Sequence, residues 1–454
     1  MDDNKLLKYE VNDGQIKFLV IAGMPVYGGK KLFLAKTCRG VFENGGVGKF
    51  TQNEGSLYVK CHPHDDIEVD IAWNYTNGIV ERVDSIKNIS SSVLTLHGYY
   101  AMTDLSGIFD YYTQANHWGS ENQGAWECLS HGAREIASRG RPCRGVTPYM
   151  AIRSNEGGPG MAVHLLADGD WFLRIESGHE FLGYPYATLS SGPAHDVLAY
   201  PLQPGESLDV SHTVFVPLAD GKPETGAAVW QKHLLSLMPQ NPKTIPIEYN
   251  TWFYCFENID ESKLLQQLEA AAEMGCEVFT IDAGWYGRLD GDWSVQVGDW
   301  REKTDGAFFG DMKGFADKVR AKGLQFGIWI EPERYSKKSP IVLKHPDWFY
   351  PDDGDYLCID LDNEDAAAYL FDMISDVIER YGALWVKIDF NHALGLDPNR
   401  KAHMGYTSRF RRIINDLREL YPELVFENCA SGGSRTDVGM VKYFAHTWVT
   451  DNQV

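Results

Sequence analysis

Basic residues are scarce in this sequence. The 454 residues include 42 Lys and Arg against 63 Asp and Glu, which gives a formal net charge of −21. Such a charge repels the phosphates of nucleic acids and the head groups of anionic membranes, so we expect neither as a partner. It does not oppose a neutral ligand such as a sugar. A chain of this length can bury a sizeable core and typically forms two or three domains.

Cysteine pairs and long apolar runs are also missing. The eight cysteines include no C-x-x-C pair, which excludes the spacing of zinc ribbons and dithiol redox motifs. The apolar run FLVIAG at 18–23 is far too short to span a bilayer. The N-terminus, MDDNKLLKYEVNDG, lacks the basic start and apolar core of a signal peptide. We therefore expect reduced thiols, no membrane association and a cytoplasmic location.

The first half of the chain has the pattern of an all-β domain. Short apolar or alternating runs such as IEVDIAW and SLDVSHTVFVPL recur, separated by Gly, Pro, Asn and Asp. Many short strands with turn signals predict a large antiparallel β-sandwich. A helix-like stretch, AAVWQKHLLSLM, and a Pro-rich joint, PQNPKTIP, follow it. We place a domain boundary near 240–246, with the sandwich over 1–240 and a second domain over 246–454.

After the joint, strand-like and helix-like segments alternate. Helices are predicted from about Asp260 to Gly275, near 311–322, and over DAAAYLFDMISDVIERYG and YTSRFRRIINDLREL. The strand-like segments are EYNTWFY, EVFTI, QFGIWI, LWVKI, LVF and HTWVT. This alternation predicts a parallel sheet covered by helices, and the apolar strands fit burial on both faces. Because no glycine fingerprint follows the first strand, the pattern favours a (β/α)8 barrel over a dinucleotide-binding fold.

Polar side chains follow five of these strand-like segments. They are Asp282; Glu331 and Glu333; Asp389 and Asn391; Glu427, Asn428 and Cys429; and Asp451 and Asn452. Barrel active sites lie at the C-terminal ends of the strands, so these residues predict a single acidic mouth. Any one of them could instead be a helix cap or half of an ion pair. Five strand ends in succession favour a hydroxyl-binding site.

Several carboxylates with aromatic neighbours, and no nucleophilic Ser or Cys elbow, indicate sugar chemistry. Glycosidases need one carboxylate as nucleophile or base and another as acid. Trp285, Trp300 and Trp329 lie in the same loops and could stack on sugar faces, although each could equally be a core residue. Lys387 should point the same way as Asp389, because strand residues two apart share a face. Its ammonium would then favour the ionised carboxylate.

Five ordered motifs resemble glycoside hydrolase family 36, the clan D retaining α-galactosidases. KIDFNH at 387–392 resembles the family's K-W-D-M-N-R, ENCASGGSR at 427–435 its E-N-C-S-S-G-G-G-R, and TWVTDN at 447–452 its W-T-S-D-N. Segments 281–300 and 327–350 resemble its D-D-G-W…G-D-W stretch and its third barrel strand. The first half contains a stretch that resembles the end of the family's β-supersandwich, NHWGSENQGAWECLSHGAREIASRGRPCRGVTPYMAI.

The resemblance implies a role for each matching residue. Asp389 would be the nucleophile that forms a covalent glycosyl-enzyme, and Asp451 the general acid that later acts as base. The expected substrate-binding residues are Asp282, Trp285, Trp329, Lys387, Asn391, Cys429 and Gly432. Among these, Asp282 would hold hydroxyls on the far side of the ring, and Cys429 and Gly432 would line the 2-position. No metal and no cofactor are implied, and a homo-oligomer is in keeping with the family.

Departures from the family pattern leave the sugar open. The paired aspartates of the family are Asp282 and Ala283 here, and the terminal Arg of its nucleophile motif is His392. The expected substrate is an oligosaccharide with terminal α-galactose, because Cys429 and Gly432 match the galactose-type pattern. Terminal α-N-acetylgalactosamine is the main alternative. A raffinose-type galactosyl transglycosylase and a catalytically inactive sugar-binding homologue are the others.

The barrel is expected to be truncated. Only about six strands are predicted within about 209 residues, against about 250 residues for a typical barrel. Two further strands and the family's small C-terminal β-domain are missing from the pattern. We expect the chain to be a segment of a longer protein.

Overall fold

The computed structural model describes residues 6–26, 31–44, 48–179, 185–239, 245–287 and 292–452. The chain divides into two compact units. The first runs to Leu237 and also takes in Asn399–Met404 and Asp437–Gly439, and the remaining segments form the second. Residues 240–244 of the predicted joint lie outside the described residues. The assignment of 1–240 and 246–454 as two domains stays a prediction.

Strands with alternating buried and exposed side chains make up most of the first unit. They are β1 (Leu7–Asn12), β2 (Gln15–Ile21), β3 (Met24–Val26), β4 (Phe33–Thr37), β5 (Gly40–Asn44), β6 (Lys49–Asn53), β7 (Ser56–His64), β8 (Ile67–Thr76), β9 (Ile79–Asn88), β10 (Leu94–Ser106), β11 (Phe109–His117), β12 (Ser120–Cys128), β13 (Ala133–Ser138), β14 (Gly145–Ser154), β15 (Gly160–Leu165), β16 (Trp171–His179), β17 (Pro185–Pro193), β18 (Tyr200–Leu202) and β19 (Ser207–Leu218). Helix α1 (Pro223–Leu237) follows them.

These strands form two antiparallel sheets. One has the order β1-β2-β3-β10-β17-β16-β13, with β4, β5 and β18 attached through β10, and the other has the order β12-β11-β14-β15-β19-β9-β8-β7-β6. Buried side chains of both sheets belong to one hydrophobic cluster, which includes Trp73 of β8 and Trp171 of β16. The core therefore lies between the sheets, as in a β-sandwich. The predicted sandwich is confirmed.

Strands and helices alternate along the second unit. They are β20 (Glu248–Asn250), α2 (Trp252–Cys255), α3 (Glu261–Glu273), β21 (Val278–Ile281), α4 (Met312–Ala321), β22 (Gln325–Ile330), β23 (Arg334–Ser336), α5 (Pro340–Lys344), β24 (Phe349–Tyr350), β25 (Tyr356–Ile359), α6 (Glu364–Tyr381), β26 (Trp385–Ile388), α7 (Tyr406–Leu420), β27 (Val425–Asn428) and β28 (His446–Thr447). Short 3-10 helices cover Pro346–Trp348 and Val438–Met440.

The longer helices begin and end where the sequence predicts. The carboxylate of Asp260 accepts the backbone N–H of Lys263 and caps α3. Asn363 caps α6 in the same way. At the other end of α6, Gly382 has a φ of 63°, a left-handed conformation that glycine adopts without strain.

Six parallel strands form the centre of the second unit. Their order, β20-β21-β22-β26-β27-β28, is also their order along the chain. Every residue of β21, β26 and β27 is buried, as expected of strands covered on both faces. A small antiparallel sheet, β23-β25-β24, follows β22. This is the arrangement of a partial (β/α)8 barrel, and it confirms the predicted fold class.

The first barrel strand is shorter than predicted. EYNTWFY was expected to be one strand, but β20 ends at Asn250, and Trp252–Cys255 is a short helix. The side-chain oxygen of Asn250 accepts the backbone N–H of Trp252 at 2.9 Å, and this local bond turns the chain out of the sheet. No helix within the described parts of the chain is both long and apolar enough to cross a membrane.

Candidate active site

The carboxylate of Asp389, directly after β26, is held by four N–H groups. Its Oδ1 accepts the backbone N–H groups of Phe390 at 2.7 Å and Ser431 at 3.1 Å. Its Oδ2 accepts Nδ2 of Asn391 at 2.7 Å and Nε1 of Trp329 at 3.2 Å. Only 7% of the residue is exposed. The position and plane of this carboxylate are therefore fixed by the fold.

The surroundings of Asp389 favour its ionised form. Burial alone would raise the pKa of the carboxyl, because desolvation disfavours charge. The ammonium of Lys387 and hydrogen bonds from Asn391 and Cys429 outweigh burial and hold the pKa below its ordinary value. Asp389 is thus an ionised, oriented carboxylate at neutral pH.

Lys387 is a buried cation that contacts the predicted site residue Asp282 and the ring of Trp448. Its Nζ lies 3.1 Å from Oδ2 of Asp282 and 4.2 Å from the centre of the Trp448 ring. Burial alone would lower the pKa of this ammonium, but the charges of Asp282 and other acidic groups around it raise the pKa well above its usual value. Lys387 therefore stays charged.

Asp282, at the end of β21, joins three strand ends. Its Oδ2 accepts Nδ2 of Asn250 at 2.8 Å as well as Nζ of Lys387. Its own backbone N–H donates to Oγ1 of Thr251 at 2.9 Å, and its Oδ1 accepts the N–H of Ala283 at 2.8 Å. These bonds tie the ends of β20, β21 and β26 together.

Glu331 fixes Asn391, the neighbour of Asp389. Its Oε1 accepts the backbone N–H of Asn391 at 2.5 Å, and its Oε2 accepts Nδ2 of Asn391 at 3.2 Å. Nη2 of Arg334 also donates to Oε2, at 2.7 Å. Burial is the main reason that the pKa of Glu331 rises to about 7, although Arg334 opposes it.

Glu333 has a similar supporting position. It pairs with Arg435 and accepts the hydroxyl of Tyr406 at 3.1 Å, and burial raises the pKa of its carboxyl. Glu331 and Glu333 therefore hold Asn391, Tyr406 and Arg435 in place through hydrogen bonds and an ion pair.

Asp451 lies just beyond β28 and is held by an indole. Nε1 of Trp448 donates to Oδ1 of Asp451 at 2.9 Å. The Trp448 ring also stacks on Phe253, with 6.3 Å between ring centres and 14° between their planes. Sequence reasoning missed this tryptophan, although it lies within the TWVTDN motif three residues before Asp451.

Cys429 connects the two predicted catalytic residues electrostatically. Its thiol lies at the end of β27 and is 98% buried, since the residue is 2% exposed. Burial, and then the charges of Asp389 and Asp451, raise the pKa of the thiol well above its usual value. Lys387 opposes this rise in the pKa, but the thiol stays protonated at neutral pH. Gly432 has a φ of 73° in the turn that follows.

The tryptophans of the site occupy different environments. Trp329 donates to Asp389 and stacks on Tyr286, with 5.8 Å between ring centres and 14° between their planes. Trp285 is 1% exposed, and its Nε1 donates to the backbone oxygen of Trp329 at 3.0 Å. Trp300 packs in the same core. The positions of Trp285 and Trp300 are those of core residues, and their sugar contacts stay predictions.

Two further residues near Asp389 were not identified from the sequence. Ser431 donates its backbone N–H to Asp389 and its hydroxyl to Oδ1 of Asn391 at 2.8 Å. Trp293 packs edge-on against Trp329, with 5.8 Å between ring centres. The small residues of the A-S-G-G run are a usable signal for Ser431, because such loops let backbone N–H groups approach an anion. No signal distinguishes Trp293 from a core tryptophan.

The arrangement suits acid–base and nucleophilic chemistry by carboxylates. One carboxylate, Asp389, is fixed and is kept ionised by a buried ammonium, and a second, Asp451, accepts the indole N–H of Trp448. Among the described residues there is no group of three or more His, Cys, Asp or Glu side chains that could hold a metal ion.

Comparison with known proteins links the chain to α-galactosidases. Residues 229–454 match the sequence profile of the Melibiase family. The alpha-galactosidase AgaA of Geobacillus stearothermophilus is 28% identical over 362 residues, which are 74% of this chain and 48% of that protein. The probable alpha-galactosidase G of Emericella nidulans is 24% identical over 427 residues, 86% of this chain and 56% of that protein. The chain thus spans about half the length of the curated relatives it matches.

A solved structure shares the fold. The glycoside hydrolase family 36 alpha-galactosidase AgaA of Geobacillus stearothermophilus, as a variant in complex with stachyose, aligns with a TM-score of 0.81 at 23% identity. The alignment covers 93% of this chain and 65% of that one. The sandwich and the partial barrel of this chain therefore correspond to a known two-part architecture.

Proposed function

Since this chain belongs to the Melibiase family, we propose that the protein hydrolyses terminal α-D-galactosyl residues of oligosaccharides or glycoconjugates with retention of configuration. The observation that carries the proposal is the state of Asp389. A buried carboxylate held by four N–H groups beside a buried ammonium is prepared to act as a nucleophile. Asp451, which accepts the indole N–H of Trp448, is the proposed acid and base.

The first step forms a galactosyl ester. An oxygen of the Asp389 carboxylate attacks C1 of the terminal galactosyl residue. The bond between C1 and the glycosidic oxygen breaks, and its electron pair passes to that oxygen. Asp451 supplies the proton, so the leaving alcohol departs neutral. The galactosyl group is then bound covalently to Asp389.

The second step releases galactose. Asp451, now ionised, takes a proton from a water molecule while the water oxygen attacks C1. The ester bond breaks, and its electron pair returns to the Asp389 carboxylate. Two inversions at C1 give net retention, and Asp451 is protonated again for the next cycle.

Supporting residues have separate tasks in this proposal. Lys387 keeps Asp389 ionised, and Asn391 fixes its orientation. Asp282 and Trp329 bind the sugar, and Cys429 with Gly432 lines its 2-position. Galactose is the proposed sugar, because Cys429 and Gly432 match the galactose-type pattern. The alternative is α-N-acetylgalactosamine, because Ala283 replaces the second family aspartate and leaves the sugar open. The proposed enzyme acts in the cytoplasm and uses no cofactor.

The test compares two substrates and the stereochemistry of one product. The protein at its full native length is assayed on aryl α-galactoside and aryl α-N-acetylgalactosaminide, and the first-formed product is followed by proton NMR. We expect hydrolysis of the galactoside, with the α-anomer of galactose appearing before mutarotation. The β-anomer as first product would contradict the double displacement, and hydrolysis of the acetamido sugar alone would contradict the choice of galactose.

A further inference from the structure

Trp448 lies at the meeting point of three side chains of the site. One face of its indole is 4.2 Å from Nζ of Lys387, measured to the ring centre. It also stacks on Phe253, nearly parallel at 14°. The edge of the ring donates its N–H to Oδ1 of Asp451 at 2.9 Å. The indole is therefore held by a cation and an aromatic ring while it holds a carboxylate.

The backbone of Trp448 is anchored as well. Its N–H donates to the carbonyl oxygen of Asn428 at 2.8 Å, next to the end of β27. The last barrel strand, β28, is only two residues long and ends at Thr447. Asp451 comes four residues after Thr447, beyond the regular hydrogen bonds of the sheet. A side-chain contact is therefore needed to fix the direction of its carboxyl group.

We propose that Trp448 is the positioning residue of Asp451, and that Lys387 supports both carboxylates of the site, Asp389 directly and Asp451 through the Trp448 ring. This inference rests on the proposed function, in which Asp451 is the acid. A cation prefers the face of an indole to any other aromatic ring, so Lys387 fixes the plane in which the Trp448 N–H points. The indole N–H in that plane then orients the Asp451 carboxyl group.

The proposed role has a chemical signature. Protonation of the leaving oxygen matters only when the leaving alkoxide is a poor leaving group, as it is for an oligosaccharide. A dinitrophenolate departs without a proton. General acid catalysis contributes about 10²–10⁴-fold in rate. A misplaced acid therefore lowers kcat/KM, which reports the first step, for poor leaving groups alone, although loss of the base in the second step can lower kcat for both substrates. Damage to the nucleophile or to sugar binding would slow both kinds of substrate.

The decisive variant is Trp448→Phe in the protein at its full native length. Phenylalanine keeps an aromatic ring against Lys387 and Phe253 but has no N–H. The measurement is kcat and KM for an oligosaccharide and for a dinitrophenyl α-galactoside. For the oligosaccharide we expect kcat to fall about 10-fold or more with KM unchanged. For the dinitrophenyl substrate we expect kcat/KM to stay within about twofold.

A second variant keeps the proposal testable if Trp448→Phe does not fold, and a third is the control. Phe253→Leu keeps the N–H and removes the stacking ring, and we expect a smaller loss with the same preference for the oligosaccharide. Trp126→Phe is the matched control, because this tryptophan lies on strand β12 of the sandwich, where the Arg153 guanidinium is 4.0 Å from its ring centre. Both substrates should be unaffected by it.

Asp451→Asn separates this inference from the proposed function. Suppose that Asp451→Asn lowers kcat/KM for the oligosaccharide alone. If Trp448→Phe then lowers kcat/KM for both substrates equally, or for neither, the positioning role of Trp448 is overturned and the acid role of Asp451 stands. If Asp451→Asn shows no selectivity for the poor leaving group, the acid role itself is wrong. Selective losses in Asp451→Asn, Trp448→Phe and Phe253→Leu support the proposal.

Discussion

Glu331 accepts both the backbone N–H and the side-chain N–H of Asn391, at 2.5 and 3.2 Å. This double contact sets the direction in which Asn391 donates its amide to the proposed nucleophile, Asp389. Glu331 is itself buried, and Arg334 is its partner on the other side. Glu331 therefore fixes, through Asn391, the orientation of the carboxylate that we propose as the nucleophile.

The first prediction concerns the pH dependence set by Glu331. Its pKa of about 7 lies above the ordinary value for Glu, so the folded protein binds its proton more tightly than the unfolded chain. Below pH 7 the carboxyl becomes protonated and loses acceptor strength toward Asn391 and Arg334. We expect kcat/KM to fall on the acidic side with a midpoint near 7.

Glu331→Gln should remove that acidic limb. The amide of the new side chain places an N–H against other donors, so we expect kcat/KM to fall about 10-fold with little change between pH 5 and 8. As the pH rises from about 4.5 to 7, the contribution of Glu331 should lower the free energy of unfolding of the native protein. This slope should be absent in the variant. An acidic midpoint that is the same in both proteins would contradict this role of Glu331.

The second prediction concerns the stability that Lys387 provides. Lys387→Met leaves Asp282 and Asp389 buried without their cation, and breaking a buried pair in this way typically costs about 3–5 kcal/mol. Urea denaturation at pH 7 measures this loss. Lys322→Met is the control, because Lys322 pairs with Glu269 on the surface, where such pairs contribute about 0–1 kcal/mol.

The sign of the pH effect in the Lys387 variant follows from Asp389. The pKa of this carboxyl is lowered in the folded protein, so the ionised form contributes stability above the unfolded pKa and loses it as the pH falls. Without Lys387 this contribution should shrink, and the difference in unfolding free energy between the two proteins should narrow in acid. A difference that widens on acidification would contradict the assignment.

The third prediction separates the roles of the two aspartates with azide. In Asp389→Gly the vacated space admits azide, which should attack C1 directly and give the inverted β-galactosyl azide. In Asp451→Gly the nucleophile is intact, so azide should attack the galactosyl ester and give the retained α-azide. Both variants require an activated aryl α-galactoside, and NMR identifies the product. The same azide from both variants would mean that the roles are assigned wrongly.

The fourth prediction concerns the reactivity of Cys429. Burial and neighbouring charges raise the pKa of its thiol, so the thiolate that reacts with alkylating agents is scarce. Iodoacetamide at pH 8 should label the exposed Cys38 and Cys128 in the folded protein but not Cys429. Peptide mass spectrometry measures the labelling, and denatured protein is the control in which all three react. Rapid labelling of Cys429 in the folded state would contradict its described surroundings.

Much of the site could be predicted because parallel strands end at one edge of a sheet. The apolar runs before Asp282, Glu331 and Asp389 marked three strand ends. In the structure Asn391 links Glu331 with Asp389 by hydrogen bonds, and Lys387 pairs with Asp282. Which side chains pair with one another in the site could not be predicted. Lys387 and Asp282 are 105 residues apart, and sequence spacing carries no information on which distant partner a side chain meets.

Local chemistry explains the other differences between prediction and structure. The aromatic residues of EYNTWFY have high β-propensity, but the side chain of Asn250 ends the strand with a bond to Trp252. Trp285 and Trp329 have the same residue type and similar positions after or within strands. Only the packing of the folded chain decides that the Trp285 indole N–H donates to a backbone oxygen while the Trp329 indole N–H donates to Asp389.

The central claim is that Asp389 becomes covalently bound to the sugar. The most direct measurement is inactivation of the full-length protein with a fluorinated α-galactosyl reagent, followed by mass spectrometry of its peptic peptides. The account predicts one added glycosyl group, on the peptide that contains Asp389, and none in Asp389→Ala. A glycosyl group on a different residue, or turnover of the aryl α-galactoside by Asp389→Ala at the native rate, would contradict it.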